Sequence, residues 1–176
     1  AVAGVPCNTA HAPALYGALE AALAAEGRRL RLVHIVEAIV AHLPEAAPGA
    51  RRIGILATDS SVRNRLHQVG LEQAGLEALV PDADAQARVQ AAIFDPAWGL
   101  KAQSAPPAPE ARAALLDATA HLAARGAEAV ILGCTELPLA LPEPRVHGVP
   151  LVSSTRALAR ALIRAVHPEK LRPFAP

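Results

Sequence analysis

The sequence predicts an α/β fold with doubly wound parallel sheets. Three observations carry this reading. Runs of Val, Ile and Leu of strand length alternate with helical patterns along the chain. Those runs are apolar throughout, as strands covered on both faces of a parallel sheet are. A strand–Cys–Thr–helix pattern also occurs twice, at Val5-Pro6-Cys7-Asn8-Thr9-Ala10-His11 and Leu132-Gly133-Cys134-Thr135-Glu136-Leu137. This weak repeat fits two similar halves facing each other.

The elements follow in order. Residues 1–6 read as a buried strand. Residues 10–26 carry Leu15, Leu19 and Leu23 on one helical face, stopped by Gly27. A strand is expected at 30–36 and a short helix at 37–43, ended by Pro44. The Pro/Gly/Ala stretch at 44–49 is the first candidate domain boundary. A second series has a strand at 52–57, a helix at 60–75, a strand at 76–80 and a helix at 82–93. Asp95-Pro96-Ala97-Trp98-Gly99 breaks or bends the chain, with Trp98 packing the bend, and 104–109 is a Pro-rich loop. The helix at 109–125 aligns Ala111, Leu115, Ala118 and Leu122 and stops at Gly126. A strand at 129–132, a Pro-studded loop at 137–144, a strand at 149–152 and a helix at 155–166 complete the chain.

Bulk composition bounds the function. The hydrophobic share of 52% over 176 residues suffices for a core, and the 2% aromatic share makes it aliphatic. A net charge of +1, without basic runs or stacking aromatics, argues against nucleic-acid binding. No apolar stretch approaches a membrane span, and no signal peptide is visible. Two lone cysteines make no disulfide framework, so a reducing cytoplasm is expected. The chain has no Met and opens inside a strand-like run, from which an N-terminal part lying outside this sequence is expected.

Ligands of open α/β sheets bind beyond the carboxyl ends of the strands. Cys7, Thr58, Cys134 and Ser153 all stand at such ends, which predicts one shared pocket with a sulfur on each side. Two thiols so placed suit a planar carbanion that loses a proton from one face and regains one on the other. Helix N-termini just after each cysteine are expected to lower the thiol pKa, ordinarily about 8.5. A one-unit shift is worth roughly 1.4 kcal/mol. Blander readings stand beside these. Each cysteine can be an inert core thiol. Asn8 and Thr9 can be plain caps. His11 can orient or polarise the Cys7 thiol from one turn into the helix, or simply pack or lie at the surface. Glu136 can tune Cys134, take an amino group or remain solvated. His34 and Glu37 read as structural. Zinc and dithiol redox sites are disfavoured because no C-x-x-C or H-x-x-x-H spacing is present.

The segments Pro6-Cys7-Asn8-Thr9-Ala10-His11 and Gly133-Cys134-Thr135-Glu136-Leu137-Pro138 together resemble the aspartate/glutamate racemase family, in its aspartate-racemase-like branch. Glutamate racemases usually carry His where this chain has Glu136. The Ile55-Leu56-Ala57-Thr58 strand end and the stretch from Ile93 to Lys101 resemble the family's second domain. The resemblance implies two Rossmann-like parallel-sheet domains related by pseudo-twofold symmetry, the first incomplete. Residues 1–48, with 149–176 returning to them, would belong to the first domain and 49–148 to the second. It implies a homodimer that racemises an acidic amino acid, aspartate before glutamate, without cofactor or metal. Cys7 and Cys134 would be the two acid–base groups. Asn8, Thr9 and Thr135 match residues that hold the α-carboxylate and amino group, Lys101 a carboxylate-binding lysine, and Thr58 a substrate-side threonine; Glu136 joins this substrate-binding set. The chain departs from the family at Asp59-Ser60-Ser61 and at Ser153, and it lacks the family's N-terminal arginine. The alternatives are a cysteine-based isomerase acting on a hydantoin, maleate or arylmalonate type of acid, and a non-catalytic small-molecule-binding remnant.

Overall fold

A computed structural model describes residues 1–174. Its main sheet has five strands: β3 (Arg52–Leu56), β4 (Glu77–Leu79), β5 (Ala129–Leu132), β6 (Arg145–Val146) and β7 (Val149–Ser153), in the order β4-β3-β5-β7-β6. All neighbours are parallel except β6, which runs antiparallel to β7. Residues alternate between the two faces as the pleat requires. Ile53, Ile55, Ala129, Ile131 and Val152 face a cluster with Ile35, Ile39 and Leu158. Leu56, Val130 and Leu132 face another with Val89, Ile93, Leu115 and Leu122. The strands are therefore buried on both faces, as their unbroken apolar composition predicts.

Helices α2 (Ile35–Ala46), α4 (Leu66–Gln73) and α8 (Ser154–Val166) cover the first face. Helices α5 (Ala83–Phe94) and α6 (Pro109–Ala124) cover the second. Helix α6 approaches β3 closely at Gly54, where a Cβ would stand 3.0 Å from Val130 Cγ2 and 3.1 Å from Leu122 Cδ1. The chain steps from β3 to β4 on one side, then returns past β3 to β5 on the other. The order reverses between β3 and β5, so Thr58 and Cys134 leave the sheet at its topological switch point.

A second sheet pairs β1 (Val2–Ala3) with β2 (Arg31–Leu32) in parallel. Between them run a 3-10 turn (Asn8–His11) and α1 (Pro13–Ala25). Several expectations are corrected here. The 30–36 strand shrinks to two residues because the chain turns into α2 at Ile35. Pro44 sits inside α2 instead of ending it. Burial of Ile39 and Leu43 on that helix outweighs one missing backbone bond. The 60–75 helix is split into α3 (Asp59–Arg63) and α4 by Arg65, whose φ is 52°. That break turns Leu66, His67 and Leu71 into the interior, and Arg65 Nη2 grips both Glu72 oxygens at 2.6 and 2.8 Å. The 137–144 loop contains a one-turn helix, α7 (Leu137–Ala140). Helix α1 buries none of its residues, and Leu15 is 56% exposed.

The 149–176 segment divides. Strand β7 joins the main sheet beside β5, where Val152 pairs with Ile131 and shares its cluster. Helix α8 packs on α2 and reaches β1. Residues 175–176 of that expected segment lie outside the described residues. Among the described residues, no helix is long and apolar enough to cross a membrane.

Candidate active site

Strand β5 delivers Cys134. Its last ladder bond, Gly133 N–H to Leu56 C=O at 2.7 Å, places Cys134 just beyond the sheet, 8% exposed. The chain then turns, and Leu137 N–H donates to Cys134 C=O at 3.2 Å. That turn brings the Glu136 side chain back over Cys134. Cys134 Sγ donates to Glu136 Oε2 at 2.8 Å, and Thr135 Oγ1 donates to the same oxygen at 3.0 Å. Glu136 Oε1 pairs with Lys101 Nζ at 2.5 Å.

Lys101 reaches the site from the segment after α5. Asp95 Oδ1 accepts from Ala97 N–H at 2.8 Å and from Trp98 N–H at 3.2 Å, which closes the turn. Lys101 N–H then donates to Ile93 C=O at 3.0 Å. Trp98 packs on the cluster that contains Cys134, as expected of the residue in this bend.

The charges interlock. Burial, reinforced by the Glu136 carboxylate, pushes the Cys134 thiol up to about 12. Burial opposes ionisation of Glu136 too, but hydrogen bonds from Cys134, Lys101 and Thr135 override it and hold the carboxyl at about 2. Lys101 is raised, chiefly by its bond to the Glu136 carboxylate. The resting arrangement is thus a neutral Cys134 thiol, a Glu136 carboxylate and a Lys101 ammonium.

The lowering expected from a helix N-terminus is not found at Cys134, where burial raises the thiol and the helix that follows, α7, spans four residues. One turn aligns too few peptides for a strong dipole. The positive charge beside Cys134 comes from Lys101 instead.

The Cys7 side is built differently. Cys7 is exposed and extended, at φ −151° and ψ 111°, and it opens the 3-10 turn. Asn8 is buried at 4% with both ends of its amide engaged. Its Nδ2 donates to Ser154 Oγ at 3.0 Å, and its Oδ1 accepts from His67 Nε2 at 3.0 Å. Its side chain therefore joins the turn to α8 and α4. Thr9 is half-buried, and its carbonyl accepts from Ala12 N–H at 3.0 Å.

His11 does not touch a sulfur. Its Nδ1 accepts from Ile35 N–H at 3.3 Å, so Nε2 carries the proton and donates to Val5 C=O at 2.9 Å. Burial lowers its pKa. The ring fastens the strand before Cys7 to the start of α2, and His34 Nε2 donates to His11 C=O at 3.2 Å. Thr58 caps α3: its Oγ1 accepts from Ser61 N–H at 3.3 Å and donates to Ser61 Oγ at 3.1 Å.

The structure thus joins Cys134, Thr135, Glu136 and Lys101 in one hydrogen-bonded group. Cys7 makes no hydrogen bond to that group, while Thr58, Asn8 and His11 serve neighbouring backbone and side chains. Sequence reasoning missed His67 and Ser154. Their partner Asn8 lies 59 and 146 residues away, and no local pattern marks contacts so distant. A groove of about 560 Å³ runs between α2 and α4 past His34, Glu37, Leu66 and Gly70. A cavity of about 270 Å³ lies beyond β5 and β7, between Pro138, Ser153 and Arg156. Neither is lined by a cysteine. Among the described residues, no three His, Cys, Asp or Glu side chains converge as a metal site would require.

Comparison with known proteins agrees with this architecture. An aspartate racemase homologue from Pyrococcus horikoshii superposes with a TM-score of 0.71 at 24% identity, over 93% of this chain and 66% of its own. The Picrophilus torridus aspartate racemase gives 0.68 at 22% identity, over 93% and 61%. The Francisella tularensis glutamate racemase, solved with D-glutamate, gives 0.67 at 15% identity, over 98% and 59%. The chain thus spans less than two thirds of the length of these structures. The sequence pattern of the Asp/Glu/Hydantoin racemases matches residues 2–162, and the chain belongs to that family.

Proposed function

We propose that this chain carries the two-cysteine machinery of a cofactor-independent racemase for an acidic amino acid, aspartate before glutamate. The observation behind this reading is the hydrogen-bonded group of Lys101, Glu136 and Cys134, which sets a thiol beside a carboxylate and an ammonium. Deprotonating an amino acid whose carboxylate is already ionised places new negative charge beside old. A fixed ammonium next to the reacting carbon offsets that charge.

In the proposed cycle Cys7 and Cys134 flank Cα in a cleft between two α/β halves related by a pseudo-twofold axis. Cys134, held as a thiol, is ready to give its proton, and a Cys7 thiolate takes the proton from the opposite face. For the other enantiomer the roles exchange. Only one sulfur is ionised at a time, since like charges in one pocket resist joint ionisation. Thr9, Thr135 and the N–H groups opening the 3-10 turn receive the α-carboxylate. Glu136 draws the substrate ammonium, which favours an amino acid over a hydantoin or maleate. The proposed setting is a homodimer in a reducing cytoplasm. Two unpaired thiols and exposed apolar residues such as Leu15 support it.

The test is incubation with L- or D-aspartate in deuterated water. Solvent deuterium at Cα together with loss of optical rotation is expected. Exchange without inversion would reduce the mechanism to one working base. Cys7→Ser and Cys134→Ser should each lower turnover at least about a hundredfold. Near-normal turnover in either variant refutes the assigned roles.

A further inference from the structure

We propose that His67 is the positioning residue that sets the two cysteine-bearing turns against each other, gripping the Cys7 turn through the Asn8 amide and abutting the Cys134 turn at Gly133. The inference rests on the two-thiol reading above and adds to it a residue that touches neither sulfur nor substrate.

His67 projects from α4 into the interior and is 1% exposed. One edge of its ring meets Asn8, the residue after Cys7, with Nε2 3.0 Å from Oδ1. Asn8 Nδ2 donates to Ser154 Oγ, so Oδ1 must accept and His67 Nε2 must carry the proton. The ring also abuts Gly133, the residue before Cys134. A Cβ there would stand 2.8 Å from His67 Cε1 and 3.0 Å from Nε2. Gly133 is itself fixed to Leu56 by a ladder bond of 2.7 Å. One imidazole therefore spans from the end of β5 to the turn that holds Cys7.

That turn hangs from a sheet of two-residue strands and precedes a helix with no buried residue, so its position rests on side-chain bonds: His11 to Val5 and Ile35, Asn8 to Ser154, and Asn8 to His67. Of these partners, His67 also abuts Gly133. Ring chemistry points the same way. His67 Nδ1 is buried without a partner, a state that few polar atoms in a folded protein adopt. A phenyl ring would fill the same space without that penalty, so an imidazole is accounted for here by its Nε2 donor.

The chain has only two cysteines, so bifunctional thiol reagents of graded span read their separation directly. Bis-methanethiosulfonates should bridge Cys7 and Cys134 within one wild-type chain. His67→Phe keeps the bulk but loses the donor. It should slow bridging at least about tenfold and lower kcat about a hundredfold, with KM changed less than about threefold. His67→Gln, whose amide can place a donor near the Nε2 position, should restore both. If His67→Phe does not fold, Gly133→Ala displaces the ring from the other side and should give the same losses. Bridging and turnover in His67→Phe equal to wild type overturn the proposal, as does failure of the wild-type sulfurs to bridge. Bridging that depends on His67 in a protein that racemises no amino acid upholds the positioning role and ends the racemase reading instead.

Discussion

Burial, reinforced by Glu136, holds Cys134 as a thiol. The Glu136 carboxylate accepts a hydrogen bond from the thiol, so removing its charge should ease ionisation of the sulfur. In a Cys7→Ser background, Glu136→Gln should move the pH profile of Cys134 alkylation to lower pH, although burial keeps it above that of an ordinary thiol. Lys101→Met should move it the other way, because the ammonium charge favours the thiolate. Iodoacetamide rates across pH read both shifts. Identical profiles in all three proteins would mean that burial alone governs the sulfur. The same group shows what a single sequence discloses. Cys134, Thr135 and Glu136 are consecutive, so their association is local and legible. Lys101 joins from 35 residues away, and only family resemblance singled it out.

At the scale of elements, strand and helix types were legible because burial on two faces leaves a plain apolar code. The 129–132 strand and the 109–125 helix match β5 and α6 to within a residue. Boundaries failed where tertiary burial overrode local preference, as at Pro44 inside α2 and at the Arg65 break before α4. Composition also cannot reveal how closely elements approach. Gly54 lets α6 settle on β3, and Gly54→Val should cost about 1–3 kcal/mol through overpacking. Urea unfolding measures it. An unchanged midpoint would show that Leu122 and Val130 yield freely.

For the whole molecule, buried imidazoles make stability depend on pH. Burial holds His67 at about 4, against an ordinary 6.5. As pH falls through 6.5 the unfolded chain takes up a proton that the folded chain refuses until about 4. The unfolded state then binds more protons, so stability drops across that window, by up to roughly 3 kcal/mol from His67 alone. His11 and His42, also lowered by burial, act in the same direction. Urea midpoints should therefore fall between pH 7 and pH 5, and less steeply in His67→Gln. Parallel slopes in the two proteins would place the acid sensitivity elsewhere.

The turn closed by Asp95 carries the sole indole of the chain, Trp98, three positions ahead of Lys101 and against the cluster that includes Cys134. Ultraviolet emission from this protein consequently has one tryptophan source. Titrating in a dicarboxylic amino acid while watching that fluorescence would follow occupancy of the Lys101 segment without any attached dye.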